Sequence, residues 1–258
     1  MFETLRTEVS GPVGRLTLQR PKRLNALSRS LLGELIEAAR WFDARRDAKV
    51  VVVEGAGRAF CAGFDLDDFL QPDPELPPRE VAELGRLMAE AIAGMRALTI
   101  AAIQGRCVGG GLVLAAACDL RLAADDAVFS IPEVDLGIPL AWGGIPRLVR
   151  EIGPAMTKEL VLTCRPFDAQ EARELHFLNR VVAAERLADE AASLAAELAS
   201  KSSLALTVTK RHVNAVSEAI ASTAGAAMDA DVLVSALSDP ESRDAAQHYL
   251  AARGRADR

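Results

Sequence analysis

The chain has 258 residues, half of them hydrophobic, with 30 Lys and Arg against 36 Asp and Glu and a net charge of -6. That is enough apolar residue to bury one globular core, with length left for a helical appendage, and the acidic balance gives no electrostatic reason to expect nucleic acid or an anionic membrane as partner. No apolar run reaches the about 18 residues of a membrane span, and MFETLRTEVSG lacks the basic and apolar regions of a signal peptide, so cytoplasm is the expected location. Cys61, Cys107, Cys118 and Cys164 lack CxxC spacing and read as buried thiols, with no disulfide framework and no zinc site.

Residues 5–18 alternate apolar and polar around Gly11-Pro12, which predicts a hairpin. Gln19 to Arg23 reads as a basic, extended connector. Ser28 is placed to cap a helix running to Phe42, with Leu31, Leu32, Leu35, Ile36 and Ala39 on one face. Lys49 to Val53 is a strand buried on both faces, as in a sheet covered by helices. The following Gly55-Ala56-Gly57 begins like a dinucleotide fingerprint, but Phe60 stands where the third glycine belongs and no clear helix follows. The segment reads instead as a glycine-rich loop in which Ala62-Gly63-Phe64 lets backbone come close to a ligand.

Four prolines within residues 71–78 mark a loop or lid, and a helix is expected from Arg79 to Ala97. The stretch from Ile100 to Gly137 then reads as strand, glycine cluster, apolar helix, strand, and a proline followed by a carboxylate. Gly109-Gly110-Gly111 lie where a strand turns into a helix, so unpaired backbone N–H groups are aimed at whatever docks there. Glu133 follows Pro132 in an apolar setting. Helices are expected over residues 142–151 and 154–163, separated by Gly153, then a short helix capped by Asp168 and a strand within residues 167–182. From Arg186 the chain is alanine-rich and helical, ending in a basic, solvated RGRADR.

Several chemistries are absent at the level of motif: there is no G-x-S-x-G, no H-E-x-x-H and no P-loop. His176, His212 and His248 are far apart and read as structural or surface residues. Asp125-Asp126 and Asp67-Asp68 read as turn or cap residues, so no metal is implied.

The run from Arg58 to Leu66, Gly109-Gly110-Gly111, Cys118-Asp119, the segment from Phe129 through Glu133 to Gly137, the opening Pro21 to Leu27 and Gly143-Gly144-Ile145-Pro146-Arg147-Leu148 together resemble the crotonase (enoyl-CoA hydratase/isomerase) superfamily. The resemblance covers nearly the whole chain in the right order. It implies an α/β fold: a crotonase-like spiral of ββα units over residues 1–185, and a C-terminal helical region for trimerisation over residues 186–258. It further implies homotrimers or hexamers, an acyl-CoA thioester as ligand, and no cofactor beyond the coenzyme A that is part of the substrate.

Carried onto this sequence, the resemblance makes the N–H groups of Phe64 and Gly110 an oxyanion hole. It makes Glu133 the catalytic acid/base and puts Ala26, Ala62, Asp65, Leu66 and Asp67 beside the coenzyme, with Lys22 and Arg23 for its phosphates. Trp142, read from its residue type, either closes the acyl pocket or packs as a core tryptophan. Two preorganised donors suit the negative charge that an enolate places on the carbonyl oxygen. The sequence departs from the hydratase pattern at one informative place: those enzymes hold water between two glutamates, and Val113 stands where the first is expected. One partly desolvated carboxylate still suffices to shuttle a proton, so the expected reaction is a shift of the double bond from position 3 to position 2. The alternatives are a hydratase of altered or weak activity and a non-catalytic acyl-CoA-binding protein.

Overall fold

The computed structural model describes residues 2–71, 73 and 75–256. The hairpin forms as expected, β1 (Leu5–Ser10) against β2 (Val13–Leu18), antiparallel. The connector after it is not extended: residues 21–23 make a 3-10 turn, because Pro21 presets φ and Leu24 closes the turn in the left-handed region. Helix α1 (Arg29–Asp43) follows, with Ser28 Oγ accepting from the Leu31 N–H at 3.2 Å, and then β3 (Val50–Gly55). A short α2 (Leu66–Leu70) precedes the proline-rich loop, of which Pro72 and Pro74 lie outside the described residues. Helix α3 (Pro78–Gly94) ends three residues earlier than the pattern suggests, releasing the chain into β4 (Leu98–Ile103).

The central stretch has two more strands than the sequence reading, one on each side of its helix. It comprises β5 (Arg106–Val108), α4 (Gly110–Ala117), β6 (Leu120–Ala124) and β7 (Val128–Ser130). The two helices expected next form and meet at Gly153, whose φ of +76° and ψ of 166° are not helical; together they are labelled α5 (Gly144–Thr163). Then come β8 (Phe167–Asp168), α6 (Ala169–Glu174), capped by Asp168, and β9 (Arg180–Val182). Four helices end the chain: α7 (Leu187–Ala199), α8 (Ser203–Ile220), α9 (Asp229–Ser238) and α10 (Pro240–Ala256). The basic end falls where side chains, or the residues themselves, lie outside the described set.

Among the described residues, six strands form one sheet in the order β1-β2-β3-β4-β6-β9, parallel from β2 onward, and β5-β7-β8 form a second, smaller sheet. Strand β3 shows why the large sheet is covered on both faces. Its side chains alternate, so Val51 and Val53 pack with α1, α3 and α4, while Val50 and Val52 pack with Leu187, Ala191 and Leu194 of α7. Helix α7, which the sequence groups with the C-terminal region, thus completes the core. All four cysteines are buried and free, and burial pushes the Cys61 and Cys118 thiols up to about 12. Among the described residues no single helix is long and apolar enough to cross a membrane.

Candidate active site

Parallel register builds the site. Strand β5 pairs with β7 so that Val108 stands opposite Ser130, and the Gly109 N–H donates to the Ser130 carbonyl at 2.9 Å. Cys61 bridges to Cys107 in parallel, and the Val108 N–H donates to the Cys61 carbonyl at 3.0 Å. Three strand exits therefore lie side by side. A few residues beyond each stand Phe64, Gly110 and Glu133. Ligands of open α/β folds commonly bind outside such carboxyl ends.

The local backbone turns each group inward. Leu27 donates to the Gly63 carbonyl at 2.8 Å and accepts from the Asp65 N–H at 3.0 Å, so the amide of Phe64, between them, faces the opposite side. Gly110 opens α4, and its N–H has no partner among the described residues. Gly109 enters this turn with φ +48°, and a Cβ there would overlap Glu133 Oε1. That close approach, together with the left-handed backbone, is why glycine occupies the position.

Glu133 is half-buried as a residue, yet its Oε2 is out of reach of solvent and has no hydrogen-bond partner among the described residues. Burial pushes its carboxyl up to about 7. A turn keeps it inward: Leu136 donates to the Pro132 carbonyl at 3.1 Å and Ile138 to the Glu133 carbonyl at 3.0 Å. Glu133 lines a cavity of about 540 Å³ together with Phe64, Gly110, Val113, Trp142 and apolar residues of α9 and α10, among them Leu233, Leu237 and Leu250. The other carboxylates lining it are occupied. Asp68 accepts from the Arg29 N–H at 2.7 Å, and Asp73 pairs with Arg29 Nη1 at 3.3 Å.

The residues expected beside the coenzyme stand apart from that cavity's lining. Asp65 is buried and caps α2, with ion pairs to Arg20 at 2.8 Å and Arg23 at 3.0 Å. Burial raises its carboxyl, but the bonds from Arg20 and Arg23 outweigh that and hold it below the usual range. Arg23 also pairs with the exposed Asp67, so its charge is partly engaged, whereas Lys22 is exposed. Ala62 donates to the Leu24 carbonyl at 2.9 Å, which lays 24–26 alongside 62–64, and Leu66 opens α2. Sequence reasoning missed Arg29, which bonds to Asp68, Gln71 and Asp73, and the contribution of α9 and α10, whose apolar residues gave no local sign of what they cover. It also missed Gly85, although a glycine inside a strong helical pattern is a signal. Among the described residues, no group of three His, Cys, Asp or Glu side chains is placed to hold a metal.

The backbone amides of Phe64 and Gly110 beside one raised carboxylate, in a spiral of ββα turns followed by C-terminal helices, mark a protein of the crotonase class. The sequence profile of the family described as enoyl-CoA hydratase/isomerase matches residues 8–255, and the chain belongs to that family. It is 40% identical over 214 residues to a probable enoyl-CoA hydratase of Rhizobium meliloti (strain 1021), covering 83% of this chain and 82% of that one. It is 36% identical over 221 residues to a peroxisomal Delta(3,5)-Delta(2,4)-dienoyl-CoA isomerase of Arabidopsis thaliana, covering 81% of this chain and 80% of the relative. The crystal structure of an enoyl-CoA hydratase/isomerase from Xanthobacter autotrophicus Py2 superposes with a TM-score of 0.86 at 28% identity, over 98% and 99% of the two chains.

Proposed function

We propose that this enzyme shifts the double bond of a 3-enoyl-CoA to the 2 position by a proton shuttle on Glu133. Ionised Glu133 takes a proton from C2 of the thioester, and the electron pair moves onto the carbonyl oxygen, where the N–H groups of Phe64 and Gly110 hold the enolate. Collapse of the enolate re-forms the carbonyl and makes C2–C3 a double bond, while the π electrons of the C3–C4 double bond take the proton from Glu133 onto C4. The shuttle calls on no group beyond those of the chain and the thioester. Lys22, Arg23, Ala26, Ala62, Asp65, Leu66 and Asp67 are proposed to receive the coenzyme moiety, with Lys22 the charge best able to meet a phosphate.

The observation that carries this reading is the unpartnered, buried Oε2 of Glu133 in a cavity where Val113 supplies no second carboxylate. A group held at about 7 gives and takes protons with similar ease near neutral pH. The second reading is hydration of 2-enoyl-CoA, favoured by relatives that mostly bear the name hydratase. Separate incubations with 3-enoyl-CoA and 2-enoyl-CoA, analysed for double-bond shift and for 3-hydroxyacyl product, discriminate the two. The proposal expects the shift to dominate; water addition as the faster reaction contradicts it.

The proposed assembly is a homotrimer or a hexamer of paired trimers. It is supported by the exposed apolar side chains Val213, Val216 and Ile220, which helical spacing puts on one face of α8 where a neighbouring subunit would cover them.

A further inference from the structure

Trp142 is held in a way that the proton shuttle does not use. Its φ of +62° lies in the left-handed region, which a bulky residue keeps only where its surroundings over-determine it. The surroundings do so here. Buried Arg147 donates from Nη1 to the carbonyls of Trp142 at 3.3 Å and Gly143 at 3.0 Å, and Asp229 Oδ2 accepts from the Gly143 N–H at 2.8 Å.

The indole itself is seated on two glycines. Gly85 lies inside α3, where alanine is the better helix former, yet a Cβ there would overlap indole Cδ2 and Cε2. A Cβ at Gly110 would overlap indole Cζ3. One ring region therefore rests on the backbone of α3 and the benzo edge on that of Gly110. Phe64 meets the ring edge-to-face, with centroids 5.7 Å apart at 85°. The indole thus touches both residues whose amides are proposed to hold the thioester oxygen. The part of an acyl chain within its reach is the part next to the thioester, C2 to C4.

We infer that Trp142 is a specificity-determining wall that admits acyl chains unbranched at C2 to C4 and excludes those carrying a substituent there. The inference rests on the reading of Phe64 and Gly110 as thioester donors. The same cavity extends to Leu233, Leu237 and Leu250, so an unbranched tail has room to continue and the wall sorts shape, not length. Arg147, Asp229 and Gly85 act through Trp142 as positioning residues.

Calorimetric binding of hexanoyl-CoA and 3-methylhexanoyl-CoA tests this without depending on which reaction the enzyme performs. The wild type is expected to prefer the straight ester by about tenfold or more, the range that one methyl group commands in a tight pocket. Trp142→Gly, which accepts the left-handed backbone, is expected to bring the preference below about threefold, because the space opened fits one branch. Gly85→Ala, whose Cβ would overlap the buried indole, is expected to displace the ring and weaken the straight ester by about tenfold or more, with a lower melting temperature from the overpacking. Equal binding of the two esters by the wild type, or an unchanged ratio in Trp142→Gly, overturns the wall alone. Failure of the wild type to bind either ester overturns the thioester site and the wall with it.

Discussion

The two ends of α4 adjoin half-buried carboxylates in opposite circumstances. Before its first turn stands Glu133, whose Oε2 has no hydrogen-bond partner among the described residues. After its last turn stands Asp119, whose Oδ2 accepts from the Thr99 N–H at 2.7 Å, the Thr99 hydroxyl at 2.9 Å and Lys210 Nζ at 2.8 Å. Lys210, itself buried on α8, also donates to the Ala97 carbonyl at 2.9 Å. Buried polar groups are nearly always satisfied because leaving one bare costs stability. The Asp119 end follows that rule and ties α8 to the sheet. The Glu133 end breaks it at the one place where a proton must be free to move.

Removing each carboxylate therefore has opposite consequences. Glu133→Gln is expected to lower double-bond shift by about 10²- to 10⁴-fold, the usual contribution of a positioned acid/base, with acyl-CoA affinity nearly unchanged. A steady-state assay beside a binding titration checks both halves. Asp119→Ala strands the buried Lys210 ammonium and is expected to cost about 3–5 kcal/mol in denaturant unfolding, with kcat per folded molecule intact. If the first variant unfolds and the second only loses activity, the contrast is reversed and the account of the two ends is wrong.

A smaller effect follows from linkage. The Glu133 carboxyl is raised from 4.5 to about 7 in the folded chain, so between those values the folded state holds a proton that the unfolded state has released. Its protonated form leaves stability intact below about pH 4.5, and that contribution is lost as pH rises through 7. Glu133→Gln is accordingly expected to match the wild type in stability near pH 4.5 and to exceed it above pH 7 by the order of 1–3 kcal/mol. Melting curves across that range measure the gap, and a gap that does not widen with pH removes the buried-charge explanation. Val113→Glu places a second carboxylate at a buried position: added water-addition activity toward 2-enoyl-CoA is expected, with a stability loss of about 1–3 kcal/mol.

Much of this was legible in the sequence because it was carried by local pattern. The valines of β3, the Ser28 cap and the strand–glycine–helix turn at Gly109 each declare themselves within a few residues. Glu133 stood out because a carboxylate after proline in an apolar run has no local reason to be there. What could not be read depended on contacts across the chain. The length of β5 is set by its pairing with β7, the end of α3 by the start of β4, and the engagement of Asp65 by Arg20 and Arg23 from 45 and 42 residues away. The covering of the cavity by α9 and α10 is a matter of helix docking, which alanine-rich periodicity does not specify. Trp142 was noticed as a candidate wall, but its left-handed backbone and its seat on Gly85 exist only in three dimensions.

The pH dependence of kcat/KM for the shift of 3-enoyl-CoA to 2-enoyl-CoA tests the central claim most directly, since that ratio reports the free enzyme's ionisations. A base that must be ionised to remove the C2 proton, and whose carboxyl sits at about 7, predicts a rate that rises with pH and levels off above a single inflection near 7. Residual turnover in Glu133→Gln should lack that inflection. An inflection near the ordinary carboxylate value of 4.5, or an inflection near 7 that survives in Glu133→Gln, would contradict the assignment of the proton to Glu133.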